Sequence, residues 1–147
     1  GACGCEANTG DGAGILTAIP HDFLSQAVRK DLGLALPAPG KYGVGLVFLP
    51  TDPAERAECR QEVNRLIAAQ GQKLIGWRKV PIAPEDADIG PSARAAMPAF
   101  EQLFIAAAEG LDQEAFERQL FIIRKQASHR IREGNLPQAL SFYICSL

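Results

Sequence analysis

Neither sign of charge predominates in this 147-residue chain, which sets 15 Lys and Arg against 17 Asp and Glu, for a net charge of −2. With an isoelectric point near 5.7, no cationic field is available to draw in nucleic acid or an acidic membrane surface. Long apolar runs are also missing. The longest are of the length of Val44 to Pro50, far short of the roughly 20 residues a membrane span needs. The opening residues are rich in Gly, Cys and Asn rather than basic and then apolar, so they do not read as a secretory leader. Histidine is scarce, with His21 and His129 alone, and no internal repeat or low-complexity tract is present. What remains is an ordinary composition, 47% hydrophobic and 22% charged, long enough for one domain or part of one.

The four cysteines are Cys3, Cys5, Cys59 and Cys145. Cys3 and Cys5 stand two apart, poor spacing for a closed zinc site, and with His21 they would still lack a fourth ligand. Cys59 falls in an apolar helical stripe and Cys145 in an apolar strand pattern, where cysteine acts as a small hydrophobe. Reduced thiols and a cytosol-like compartment are expected, with no metal on this chain.

Residues 1–12 read as a glycine-rich loop, followed by a short strand over Ala13 to Ile19 that Pro20 stops. Apolar Phe23, Leu24, Ala27 and Val28 predict a helix over His21 to Asp31. Val44–Leu49 is apolar on both faces and should be a central strand. Thr51-Asp52-Pro53-Ala54-Glu55 is a helix start, with Asp52 as cap and Glu55 closing a box. Cys59, Val63, Leu66 and Ile67 mark the buried face of the helix that follows. Lys73–Val80 is a third strand, and residues 83–98 a long connection with room for one helical turn. Phe100–Ala107 is a fourth strand. Asp112 caps a helix whose buried face is Phe116, Leu120, Ile123, Ala127 and Ile131. Leu140–Leu147 closes in strand formers, and the absence of a polar tail suggests a chain that ends inside a strand of something larger.

This β-α-β-α-β-β-α-β order implies a layered α/β (α+β) sandwich with a mixed or antiparallel sheet. The last six elements would also fit a ferredoxin-like packing.

Few residues offer chemistry. Thr9-Gly10-Asp11-Gly12-Ala13-Gly14 precedes a strand, whereas a phosphate cradle needs glycines leading into a helix N-terminus; a tight turn with close backbone approach explains them better. His129, Arg130 and Arg132 suit the negative end of a helix. His21, beside Asp22 at a helix start, reads as structural. Arg78-Lys79 and Arg124-Lys125 read as solvated pairs, and Trp77, Phe142 and Tyr143 as core.

The segment Gly1-Ala-Cys-Gly-Cys-Glu-Ala-Asn-Thr-Gly-Asp-Gly-Ala-Gly-Ile15 strongly resembles a stretch near the N-terminus of the glutamate synthase family, in its class II glutamine amidotransferase domain. Gly45-Leu-Val-Phe-Leu-Pro50, Gly76-Trp-Arg-Lys-Val-Pro81, Phe121-Ile-Ile-Arg124 and Phe142-Tyr-Ile-Cys-Ser-Leu147 follow in the family's order, so the likeness covers essentially the whole chain. The resemblance implies an N-terminal-nucleophile fold, an αββα sandwich, of which residues 1–147 would be an incomplete, internal part. It implies hydrolysis of L-glutamine by a cysteine at the start of the mature chain, whose own α-amino group is the base. Ammonia would then pass to 2-oxoglutarate at a separate domain of the parent carrying FMN and an iron–sulfur cluster.

The match puts that nucleophile upstream of Gly1, about one strand and one helix away. The family's substrate-clamping arginine and Asn-Gly oxyanion pair would also lie outside the chain. No catalytic residue carries over, and the isolated chain is expected to be inactive. Thr9, Gly10, Asp11, Gly12 and Gly14 would lie near the active site, with Asp11 orienting a neighbour or stabilising the turn. The rest would be scaffold, including a family-specific insertion around Asp112–Arg132. The implied partners are the parent's remaining domains and L-glutamine, in the cytoplasm, or a plastid for a ferredoxin-dependent parent. A sheet edge left uncovered would invite self-association. The alternative is a freestanding, non-enzymatic ferredoxin-like binding or regulatory module.

Overall fold

In the computed structural model, residues 14–147 are described. The first element is helix α1, His21–Leu32, which follows Pro20 and ends at Gly33. Gly33 takes a left-handed φ of 68° and donates its N–H to the Arg29 carbonyl at 3.1 Å, a conformation glycine adopts without a Cβ penalty. Strand β1, Tyr42–Leu49, comes next.

Helix α2, Pro53–Ala69, starts where the sequence indicates. The Asp52 carboxylate accepts from the N–H groups of Ala54 and Glu55, both at 2.9 Å. The expected box does not close, however. Glu55 accepts instead from the Gln138 N–H at 2.8 Å, while the Gln138 side-chain oxygen takes the Thr51 N–H at 2.9 Å. The same Gln138 oxygen takes the Asp52 N–H at 3.4 Å, so a distant segment replaces the local partner at the N-cap donor that a capping box would satisfy.

Strand β2 is Lys73–Lys79. The long connection holds a 3-10 turn, Pro84–Asp86, and a short helix α3, Pro91–Ala95. Strand β3, Ala99–Ala106, and helix α4, Gln113–Arg132, follow. Asp112 caps α4 by accepting from the Ala115 N–H at 2.7 Å. A 3-10 turn over Ala139–Ser141 leads into the last strand, β4, Tyr143–Ser146, so part of the expected closing strand is helical.

The four strands form one sheet in the order β2-β3-β1-β4, and every neighbouring pair is antiparallel. With α2 between β1 and β2, and α4 between β3 and β4, this is the split βαβ arrangement of a ferredoxin-like unit. β1 is interior, as its two-sided apolar pattern requires. The class is α+β, mixed helix and antiparallel sheet.

Alternation along the strands sends neighbours to opposite faces. Val47, Leu49, Leu103, Ile105 and Ile144 meet α2 and α4, where Cys59, Val63, Ile67, Leu120 and Ile123 complete the main core. Full burial of side chains of this size is worth about 1.5–3 kcal/mol each. α4 is therefore built into this core rather than appended to it. On the other face Phe104 and Tyr42 meet Leu24 and Val28 of α1 in a smaller cluster. Farther along that face, Phe48 packs edge-on against Phe100, ring centroids 5.2 Å apart, with Tyr143 at 6.3 Å. Phe142 is fully buried, but Tyr143 is 44% exposed, so only one of that pair is core.

Arg78 departs from its expected solvation. It is 7% exposed, and its Nε–H donates to Asp31 at 2.6 Å while Nη1 donates to Gln102 at 2.8 Å. Its neighbour Lys79 is the exposed member of the pair.

Candidate functional site

Thr9, Gly10, Asp11 and Gly12, together with Cys3 and Cys5, lie outside the described residues. Gly14 is described: it is exposed, and a Cβ built on it would meet nothing within 4 Å. From it runs a stretch, residues 14–20, in which every residue is exposed. Ile15 and Leu16 are 89% and 88% open to solvent. The strand expected at Ala13–Ile19 is not formed over its described part. A strand is a property of a pair, and among the described residues nothing offers this one a ladder partner.

The stretch delivers His21 to the first position of α1. There the ring Nδ1 lies 2.9 Å from the Tyr42 hydroxyl, and Nε2 lies 3.3 Å from the Ser25 hydroxyl. A serine beside a histidine raises the question of nucleophilic catalysis. The third position, held by a carboxylate in a hydrolytic triad, is here a phenol. Burial pushes the Tyr42 phenol above its ordinary value, so it stays neutral and does not stabilise an imidazolium. Ser25 and His21 are one turn apart on a single helix. The trio joins the start of α1 to the start of β1.

The thiols fare no better as nucleophiles. Cys59 and Cys145 are free. Cys59 is fully buried in the main core; that burial, reinforced by the carboxylates of Glu55 and Glu58, pushes its thiol up to about 11. Burial raises Cys145 too, against the pull of Arg124. The thiolate is the reactive form, so both are poorly activated near neutrality. Among the described residues no group of three or more His, Cys, Asp or Glu could hold a metal. His129 is exposed and lies 3.0 Å from Glu133, one turn on. No described helix is long and apolar enough to cross a membrane.

A second constellation was not anticipated. Arg56 and Arg60, one turn apart on α2, meet Lys79 from the end of β2 and Glu101 from the start of β3 around a cavity of about 400 Å³. The available signal was Glu101 itself, the single acidic residue in β3 and 4% exposed.

The family model for class-II glutamine amidotransferases matches residues 1–147, and the chain belongs to that family. Its relatives narrow the group further. It is 38% identical to the glutamate synthase [NADPH] large chain of Bacillus subtilis and 39% identical to that of Azospirillum brasilense, each over 100% of this chain. It is 33% identical to ferredoxin-dependent glutamate synthase 2 of Synechocystis over 99% of the chain. In each case it spans only 9% of the relative's length.

Proposed function

We propose that this chain is part of the glutaminase domain of a glutamate synthase, and that alone it does not hydrolyse glutamine. The family match along all 147 residues carries the reading. In the intact domain a cysteine outside this chain attacks the side-chain amide of L-glutamine, expelling ammonia. Water then releases glutamate from the thioester, and the ammonia goes to 2-oxoglutarate elsewhere in the parent. FMN and the iron–sulfur cluster supply reducing chemistry in that other domain. The protein works in the cytoplasm, or in a plastid if its electron donor is ferredoxin.

The role of this chain is then support. Thr9, Gly10, Asp11, Gly12 and Gly14 flank the nucleophile's strand. The exposed apolar stretch beyond Gly14 becomes a strand when the remainder of the domain supplies a partner. The raised thiols of Cys59 and Cys145 favour inertness of the chain alone, because a nucleophilic cysteine needs an accessible thiolate.

One observation favours a different role. β1 to β4 with α2 and α4 close a ferredoxin-like unit that has its own core, as a binding or regulatory module would. The test is release of ammonia and glutamate from L-glutamine by this chain, beside a version extended at both ends. Activity in the extended version alone is expected. Activity in the chain itself would overturn the assignment of the nucleophile, and inactivity of both would favour the module.

A further inference from the structure

The stretch that leads from the glycine-rich loop into α1 is fixed at one end. Every residue of 14–20 is exposed. Among the described residues, His21 is the first along the chain whose side chain bonds to another element. Its Nδ1 lies 2.9 Å from the hydroxyl of Tyr42, which is 3% exposed and packed in the smaller core cluster. The ring thus rests on a group that the core holds still. The Pro20 carbonyl just before it is held as well, accepting the Leu24 N–H at 3.0 Å.

Helix α1 is in turn fastened to the sheet along its length. Leu24 and Val28 share the smaller cluster with Phe104, and Asp31 near the far end accepts from Arg78 of β2 at 2.6 Å. Apolar packing is non-directional and tolerates small slides and turns, whereas a hydrogen bond requires a distance and an angle. The polar contacts at its two ends therefore set where α1 stands, and His21 sets where the chain enters it.

That entry point matters for the stretch before it. As a strand, 14–19 would send Ile15, Thr17 and Ile19 to one face and Leu16 and Ala18 to the other. Neither face is distinctly polar, so the pattern does not choose a register, and a slip of one residue exchanges the two faces. Such a slip moves the chain by about 3.3 Å. A misplacement of about 1 Å can cost about a hundredfold in rate. The choice of register falls to the anchored end.

We propose that His21 is a positioning residue of the glutaminase. Its contact with Tyr42 sets the register of the strand that 14–19 forms in the intact domain, and so the place of the loop ending at Gly14 against the nucleophile. The inference rests on the glutaminase reading. His21 acts only through the stretch it anchors.

The test is L-glutamine hydrolysis by the full-length parent and its variants, with hydrogen exchange followed over residues 15–19. His21→Ala should lower kcat by about tenfold to a hundredfold. KM for L-glutamine should hardly change, because the substrate's own contacts are untouched. Protection of the amides of 15–19 should fall in the same variant. Tyr42→Phe keeps the buried ring and loses only the hydroxyl; it should reproduce both effects and carries the test should His21→Ala not fold. His21→Asn, whose amide stands near the place of Nδ1 and can meet the Tyr42 hydroxyl, should recover most of kcat. Asp31→Asn weakens the contact at the other end of α1, about 15 Å along the helix, and should leave kcat as it was, which separates placement from stability. Unchanged kcat in both His21→Ala and Tyr42→Phe, or an equal loss in Asp31→Asn, would overturn this proposal alone. A parent that releases no glutamate before substitution would overturn the glutaminase reading and the proposal together.

Discussion

Removing the Arg78 guanidinium should loosen α1 before anything else. The side chain bridges two elements, holding Asp31 at the end of α1 and Gln102 of β3 from a position on β2 that is 7% exposed. Arg78→Met keeps most of the apolar stem and deletes both contacts. Hydrogen bonds involving a charged group contribute about 1.5–3 kcal/mol, and breaking a fully buried ion pair costs about 3–5. The Asp31 side chain is 35% exposed and regains water when abandoned, which places the loss near the lower figure, about 2–3 kcal/mol. For a domain of this size that lowers Tm by about 5–10 °C.

Asp31→Asn should cost less, about 1 kcal/mol, because an amide still accepts from Arg78. In the double variant the two losses should fall short of additive by about 1 kcal/mol, the signature of direct coupling. Arg78→Lys should not restore stability, since a single ammonium does not reproduce the guanidinium's fixed fork of donors. Denaturant melts of the unsubstituted protein and the four variants give the energies. Hydrogen exchange gives the location, with amides of α1 accelerated more than those of α2 and α4. A loss for Arg78→Met below about 0.5 kcal/mol, the range of an ordinary surface substitution, would refute the reasoning. So would uniform acceleration across all helices.

Gly43→Ala should destabilise the fold by about 1–3 kcal/mol, an overpacking cost, because the new Cβ would come within 2.5 Å of Leu120 Cδ1 in α4; adding Leu120→Ala should cost less than the sum, as read by chemical denaturation. The Cys59 thiol is raised to about 11 from an ordinary 9.0, so the unfolded chain ionises first. The resulting stability is intact below pH 9 and lost between there and 11, by roughly 2–3 kcal/mol; Cys59→Ala should remove that added decline in melts across this range. Ile15 and Leu16, both nearly fully exposed, should drive concentration-dependent association, and Ile15→Lys with Leu16→Lys should abolish it in sedimentation velocity. A monomer at high concentration before substitution would refute that expectation.

The elements that could be read directly from the chain are those whose causes are local. Asp52 and Asp112 cap α2 and α4 because a short carboxylate reaches N–H groups two and three residues on. The stripe Phe116, Leu120, Ile123, Ala127 and Ile131 becomes the buried face of α4 because the helical period admits no other surface. Long-range causes were not readable. Arg78 and Lys79 look like one solvated pair along the sequence, yet a strand sends neighbours to opposite faces, and Asp31 waits on only one of them. Glu55 looks like the closing member of a capping box until Gln138 arrives from the far end of the chain. Ala13–Ile19 has a strand's composition and lacks a strand's partner.

The candidate sites divide in the same way. The glycine-rich loop was visible as a motif. The cavity of Arg56, Arg60, Lys79 and Glu101 is assembled from one helix and the ends of two strands, so no spacing rule announces it. Only the solitary acidic residue in β3 hinted that something charged had to meet it there.

The pairing of β1 with β4 joins Leu46 to Ser146, which makes assembly a matter of timing. A ribosome adding about 5–20 residues per second releases β1 well before β4 exists. β1 is an interior strand, and until its second neighbour arrives its apolar edge lies open to the strands of other nascent chains. Contacts this distant also slow spontaneous folding, because the intervening loop must close before they are rewarded. This geometry places the burden on the cell: for as long as translation takes to travel from one strand to the other, β1 is the segment that a chaperone has most reason to hold.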